Sequence, residues 1–223
     1  MPETKSPATK SPAGPALRAA PAPPDPARAR AQIFPLYGER SLRTGETFTA
    51  HADGMAEIVG AVRADPDLLA ASYLFGAHDV LRDADDWIRT HFGAAVAQLV
   101  SDLRQLMLLS DSVRARMRPA GDAPGREQAR DHGRNDAGGA QDAALRRMLL
   151  AMVNDLRVVV LRLASRQQTL RYFAAAPREG IETYARETAA LYAPLANRLG
   201  IWQIKWELED LSLRFLQPEK YQR

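Results

Sequence analysis

With 223 residues, 46% of them hydrophobic, the chain is long enough for one large or two small domains around a real core. It has no cysteine, which excludes a disulfide framework, a thiolate metal site and a cysteine nucleophile, so any metal must be held by His and carboxylates. No apolar run approaches the roughly 20 residues of a membrane span and no signal-peptide core is present, so a soluble, cytoplasmic protein without membrane contact is expected. The formal charge of +3, with arginines spread out instead of clustered with aromatics, argues against a nucleic-acid surface.

Residues 1–30 contain eight of the fifteen prolines and almost nothing large and apolar, and read as a disordered tail. Order is expected from Ile33, Phe34, Leu36 and Tyr37. Arg43-Thr44-Gly45-Glu46 reads as a turn, with Thr49 capping a helix over 50–63 that turns Met55, Ile58, Val59 and Val62 inward. Asp65-Pro66-Asp67 ends it, and Asp67 is placed to cap the next helix, Leu68 to Phe75. A short helix follows over 83–92, its Asp83, Asp85 and Asp86 forming a solvated start and its His91 facing the last carbonyls. Gly93 separates it from a helix over 94–109 striped by Val96, Leu99, Val100, Leu103, Leu106 and Met107.

Residues 119–139 carry five glycines, two prolines and no aliphatic side chain larger than Ala, and are expected to be a flexible loop in which His132 is solvated. A central helix is expected over 148–172, striped by Leu149, Val153, Leu156, Val160, Leu163 and Leu170. From Arg162 it turns polar through Ser165, Arg166, Gln167, Gln168 and Thr169, a face that either lines a site or reaches the surface. The next helix, 177–199, should kink near Ala190 and Leu191 because Pro194 lacks an N–H, and Gly200 should end it. A last helix, 202–216, buries Ile204, Leu208, Leu211 and Phe215, offers Lys205 and Glu209 as an ion pair, and puts Trp202 and Trp206 on a shared flank. That flank is expected to be an interface, either for self-association or for a neighbouring domain.

The runs Met148-Leu-Leu-Ala-Met152, Leu163-Ala-Ser-Arg166, Tyr192-Ala-Pro-Leu-Ala-Asn-Arg-Leu-Gly-Ile201 and Lys205-Trp-Glu-Leu-Glu-Asp210 resemble the long RelA/SpoT-homologue enzymes, which make and degrade the alarmone (p)ppGpp. The resemblance covers residues 33–223 and implies an all-α, HD-domain-like helical bundle. It also implies a manganese ion in active hydrolase domains, then a synthetase domain that uses magnesium to pass pyrophosphate from ATP to GTP or GDP, then regulatory regions. On that pattern residues 31–200 form the hydrolase domain and 201–223 a helix linking towards a synthetase domain, whose catalytic residues are not in this chain.

Residue by residue, the resemblance implies a degenerate site. The first metal histidine matches His51, in Gly45-Glu-Thr-Phe-Thr-Ala-His51. The His-Asp dyad falls on Phe75 and Gly76, the acidic pair after it on Asp79 and Val80, the late aspartate on Ser165 and the nearby asparagine on Thr169. No intact catalytic set, metal or cofactor is therefore expected, and His51 is read as a retained remnant. The expected role is regulatory, through a synthetase domain as partner, with self-association possible and ribosome contact only through family regions absent here.

Two rivals stay open. One is a manganese-dependent 3′-pyrophosphohydrolase rebuilt from His51, His78 and Asp79, although a three-residue shift moves a donor about 4.5 Å along a helix. The other is a helical interaction module with no alarmone link. Bound metal separates the first from the pseudo-hydrolase. No Gly-rich phosphate loop or Gly-x-Ser-x-Gly elbow is present.

Overall fold

A computed structural model describes residues 24–117, 155–176 and 180–221. The described residues are helical, with one isolated bridge between Ser41 and Thr47. The first helix, α1 (Pro26–Tyr37), begins inside the stretch expected to be tail. Asp25 caps it by accepting from the Ala27 N–H at 2.9 Å, and Pro26 fits the first turn because its missing N–H is not needed there. Ala29, Ile33 and Tyr37 recur at i, i+4 and are buried, so this proline begins order instead of marking disorder.

Gly45, at φ 84°, closes the turn before α2 (Phe48–Val62). Thr47 caps that helix, not Thr49, accepting from the Ala50 N–H. In α3 (Pro66–Leu74) the cap is Asp65, not Asp67, because Pro66 takes the first helical position and the cap must precede it. A single 3₁₀ turn, Ala77–Asp79, follows, then α4 (Ala84–Phe92) and α5 (Ala94–Met117), which runs eight residues past its expected end at 109.

The expected loop 119–139, with His132, lies outside the described residues, as do residues 1–23 of the tail and the segment 148–154. The central helix α6 (Leu156–Ala175) does not run through from 148, since Asp155 is extended at φ −127°, ψ 116° and caps the helix on the Arg157 N–H. Leu156 is accordingly 61% exposed, whereas Leu163 and Leu170 are buried. Gly180, left-handed at φ 82°, sets the start of α7 (Ile181–Glu187), four residues later than expected. The irregularity expected from Pro194 is a π turn, Thr188–Tyr192, leading into α8 (Ala193–Arg198). Gly200 at φ 72° closes α8 before α9 (Trp202–Leu216), and a short α10 (Pro218–Tyr221) ends the described chain.

Helix α6 is the hub. It packs on α2, α5 and α9, while α3 bridges α1, α2 and α5, and α9 also covers α7 and α8. One core cluster runs from Ala29 to Leu211, so α9 belongs to the same packed body as the helices before it. No helix among the described residues is long and apolar enough to cross a membrane.

Candidate functional site

The hub helix brings its polar face to the start of α2, and there the site forms. His51, in the first turn of α2, is 1% exposed and bonded at both ring nitrogens. Its Nδ1 is 2.7 Å from Glu46 Oε2, and its Nε2 is 2.9 Å from Ser165 Oγ on α6. Glu46, itself 1% exposed, accepts at its other oxygen from Gln168 Nε2 at 2.6 Å. Carboxylate, imidazole and hydroxyl thus form one closed chain, which supplies the partners that buried polar groups need.

Phe75, at the end of α3, closes the site. Its ring centroid lies 4.9 Å from that of His51 and stacks at 5.6 Å on Phe48, which in turn packs at 5.2 Å on Tyr37. The Tyr37 hydroxyl donates to the Tyr73 carbonyl at 2.8 Å and accepts from the Gly76 N–H at 3.1 Å, holding the chain where α3 gives way to the 3₁₀ turn. A Cβ on Gly76 would come within 2.5 Å of the Phe48 ring, so the aromatic occupies the space a side chain at 76 would need. A cleft of about 300 Å³ lies beyond, bordered by Arg43, Asp79, Arg104 and Met107. Phe48 and Phe75 form part of its wall, and neither His51 nor Ser165 lines it.

Of the residues singled out from sequence, His51, Phe75 and Ser165 converge, and Gly76 lies behind Phe48. Thr169 is buried but turns back to donate to the Ser165 carbonyl at 3.1 Å. Asp79 lines the cleft, where burial raises its carboxyl pKa above the ordinary range against the opposing charge of Arg40. Val80 packs against the core. His78 turns to Asp85 at 3.0 Å, so the set His51, His78 and Asp79 is not assembled. His91 sits on the Trp87 carbonyl at 2.8 Å, as its place near a helix end suggested.

These residues do not fit a manganese ion. His51 has no free nitrogen, Phe75 and Gly76 offer no donor, and Ser165 supplies a neutral hydroxyl already bonded to His51, leaving no free carboxylate to offset the charge of a dication. No group of three His, Asp or Glu able to hold a metal exists among the described residues. The Glu46–His51–Ser165 order is that of a hydrolytic triad, but Ser165 is 4% exposed in mid-helix, so no substrate carbonyl reaches its hydroxyl.

Sequence reasoning placed Glu46 and Phe48 in the motif around His51 and Gln168 on the polar face of α6, but gave none of the three a part in the site. Nothing local signals a bond from position 168 to Glu46. Two arginines of the same face of α6 turn to α7 and the π turn. Arg166, with no exposure, donates to Thr188 Oγ1, the Tyr184 carbonyl and Glu187, and its guanidinium stacks 3.4 Å from the Tyr184 ring centroid. Arg162 donates to the Tyr192 hydroxyl at 3.1 Å.

Residues 29–202 match the HD domain family. Over 199 residues, 88% of this chain, the sequence is 34% identical to a probable guanosine-3′,5′-bis(diphosphate) 3′-pyrophosphohydrolase of Synechocystis, covering 23% of that protein. It is 37% identical over 169 residues, 76% of this chain, to the GTP pyrophosphokinase of Escherichia coli K12, covering 20% of it. It is 35% identical over 181 residues, 80% of this chain, to a guanosine-3′,5′-bis(diphosphate) 3′-pyrophosphohydrolase of Vibrio cholerae, covering 22% of it. The chain therefore spans between a fifth and a quarter of the length of these relatives.

Proposed function

Since the chain belongs to the RelA/SpoT family, as an HD region of it, we propose that it acts in (p)ppGpp metabolism as a pseudo-hydrolase, regulating a GTP pyrophosphokinase without degrading the alarmone itself. One observation carries this reading: both nitrogens of His51 are bonded within the protein while the Phe75 ring packs against it. A hydrolytic HD site must leave its histidine free for the ion and must admit water and a phosphate ester. Here the same volume is filled by an aromatic ring and a closed hydrogen-bond chain. What remains is a helical body packed around one core, which can restrain or position a synthetase domain.

The test is direct. The chain is loaded with Mn²⁺, dialysed, analysed for metal and assayed for pyrophosphate release from (p)ppGpp. No stoichiometric metal and no release are expected. About one Mn²⁺ per chain together with 3′-pyrophosphate release overturns the reading and restores the hydrolase.

A further inference from the structure

The cleft of about 300 Å³ beside the buried site brings together charged side chains from three elements: Arg43 from the turn before α2, Asp79 from the 3₁₀ turn and Arg104 from α5. None of these three side chains has an ion pair or hydrogen bond among the described residues. Arg40 does donate to Asp79 at 2.7 Å, but to its main-chain carbonyl and not to its carboxylate. Burial meanwhile raises the pKa of that carboxylate, the effect expected of an anion that has lost water without gaining a close partner. The rest of the wall is largely apolar, built from the stacked rings of Phe48 and Phe75 with Met107 and Leu108, the last 58% exposed. An apolar recess with a few fixed polar groups is the usual form of a small-molecule site, and this volume stands at the lower end of the range.

We propose that this cleft binds a free α-amino acid with an apolar side chain. Two unpaired cations and one unpaired anion are complementary to a zwitterion: the ligand's carboxylate is held by Arg43 and Arg104, its ammonium by Asp79, and its side chain by the apolar wall. A simple anion would have Asp79 as a neighbour, and a simple cation would have the two arginines, each a like-charge contact that costs affinity. An internal peptide segment carries neither terminal charge on its backbone, so it answers none of the three groups. Phe75 serves both places at once, since the ring that packs against His51 also forms part of the cleft wall. Neither His51 nor Ser165 lines the cleft, so the inference does not depend on whether the buried site hydrolyses anything.

Calorimetric titration of the intact chain with L-phenylalanine tests it. Saturable binding at one site per chain is expected, and three partial ligands should each bind at least about tenfold more weakly. They are 3-phenylpropanoate, which lacks the ammonium, phenethylamine, which lacks the carboxylate, and L-alanine, which lacks the apolar body. Asp79→Asn should weaken phenylalanine by about tenfold and leave 3-phenylpropanoate no weaker, whereas Arg104→Gln should weaken both. An unfolded chain would lose both ligands together, so the split in Asp79→Asn reads recognition and not stability, and circular dichroism confirms the fold of each variant. No binding of L-phenylalanine at millimolar concentration overturns the proposal. 3-Phenylpropanoate bound as tightly as phenylalanine overturns it too, since the cleft would then be an anion site that ignores Asp79. A folded Asp79→Asn chain that treats the two ligands alike overturns it equally.

Discussion

His51 Nε2 and Ser165 Oγ lie 2.9 Å apart although 114 residues separate them, and through that bond the start of α2 is pinned to the middle of α6. Both groups are buried, so the bond supplies partners that no water replaces. Ser165→Ala leaves His51 with Glu46 alone and is expected to cost about 1–3 kcal/mol in urea unfolding. A variant as stable as the parent would mean that the imidazole does not need the hydroxyl.

Gly76 and Phe48 are a matched pair. The backbone at 76, φ −100°, is open to any residue, but a Cβ there stands 2.5 Å from Phe48 Cδ1. Gly76→Ala should therefore destabilise by about 1–3 kcal/mol through overpacking. In a Phe48→Leu background the same change should cost far less, and a double-mutant cycle with no coupling would refute the steric account. It follows that changing Phe75→His, Gly76→Asp and Ser165→Asp together gains manganese only when Phe48 is shortened as well, which metal analysis of the two backgrounds reads directly.

Acid should act on the start of α6. Hydrogen bonds from Arg157 hold the Asp155 carboxyl below its ordinary pKa. A pKa lowered by folding contributes stability that is whole above the unfolded value of about 4 and drains away as pH falls through the folded one. Asp155→Ala, which also removes the cap on the Arg157 N–H, should cost about 1 kcal/mol at neutral pH. The gap between parent and variant should narrow on the acid side, and thermal unfolding at both ends of that window shows whether it does.

Alkali should act on Tyr37. Burial raises the pKa of its phenol above the ordinary tyrosine range, and the hydroxyl donates to the Tyr73 carbonyl only while protonated. A raised pKa contributes stability that is whole below the unfolded value of about 10 and is lost as pH rises above it. Spectrophotometric titration should find tyrosine that ionises only with unfolding, and Tyr37→Phe should lower its amount by one residue. Ordinary titration of every tyrosine in the folded chain would contradict this.

Much of the fold was legible locally. Stripes at threes and fours, glycine stops and the Pro194 irregularity are properties of neighbouring residues, and they located α2, α3, α4 and α9 to within a few positions, though α1 was not expected and α5 runs eight residues further than its stripe suggested. Local chemistry misled where two readings competed for one residue: Pro26 read as tail but opens α1, and Asp67 stood ready to cap where Pro66 requires Asp65. The resemblance of the Tyr192–Asp210 segment carried the family, because it depends on residue order alone. What order could not decide is the state of the site. Glu46 on a turn, Phe48 and His51 on α2, Phe75 ending α3, and Ser165 and Gln168 on α6 meet only when α6 packs against α2 and the end of α3 closes over them. Helix periodicity fixes which face a residue occupies and says nothing of which distant side chain will share its hydrogen bond, so the closing of the His51 pocket is a fact of tertiary packing.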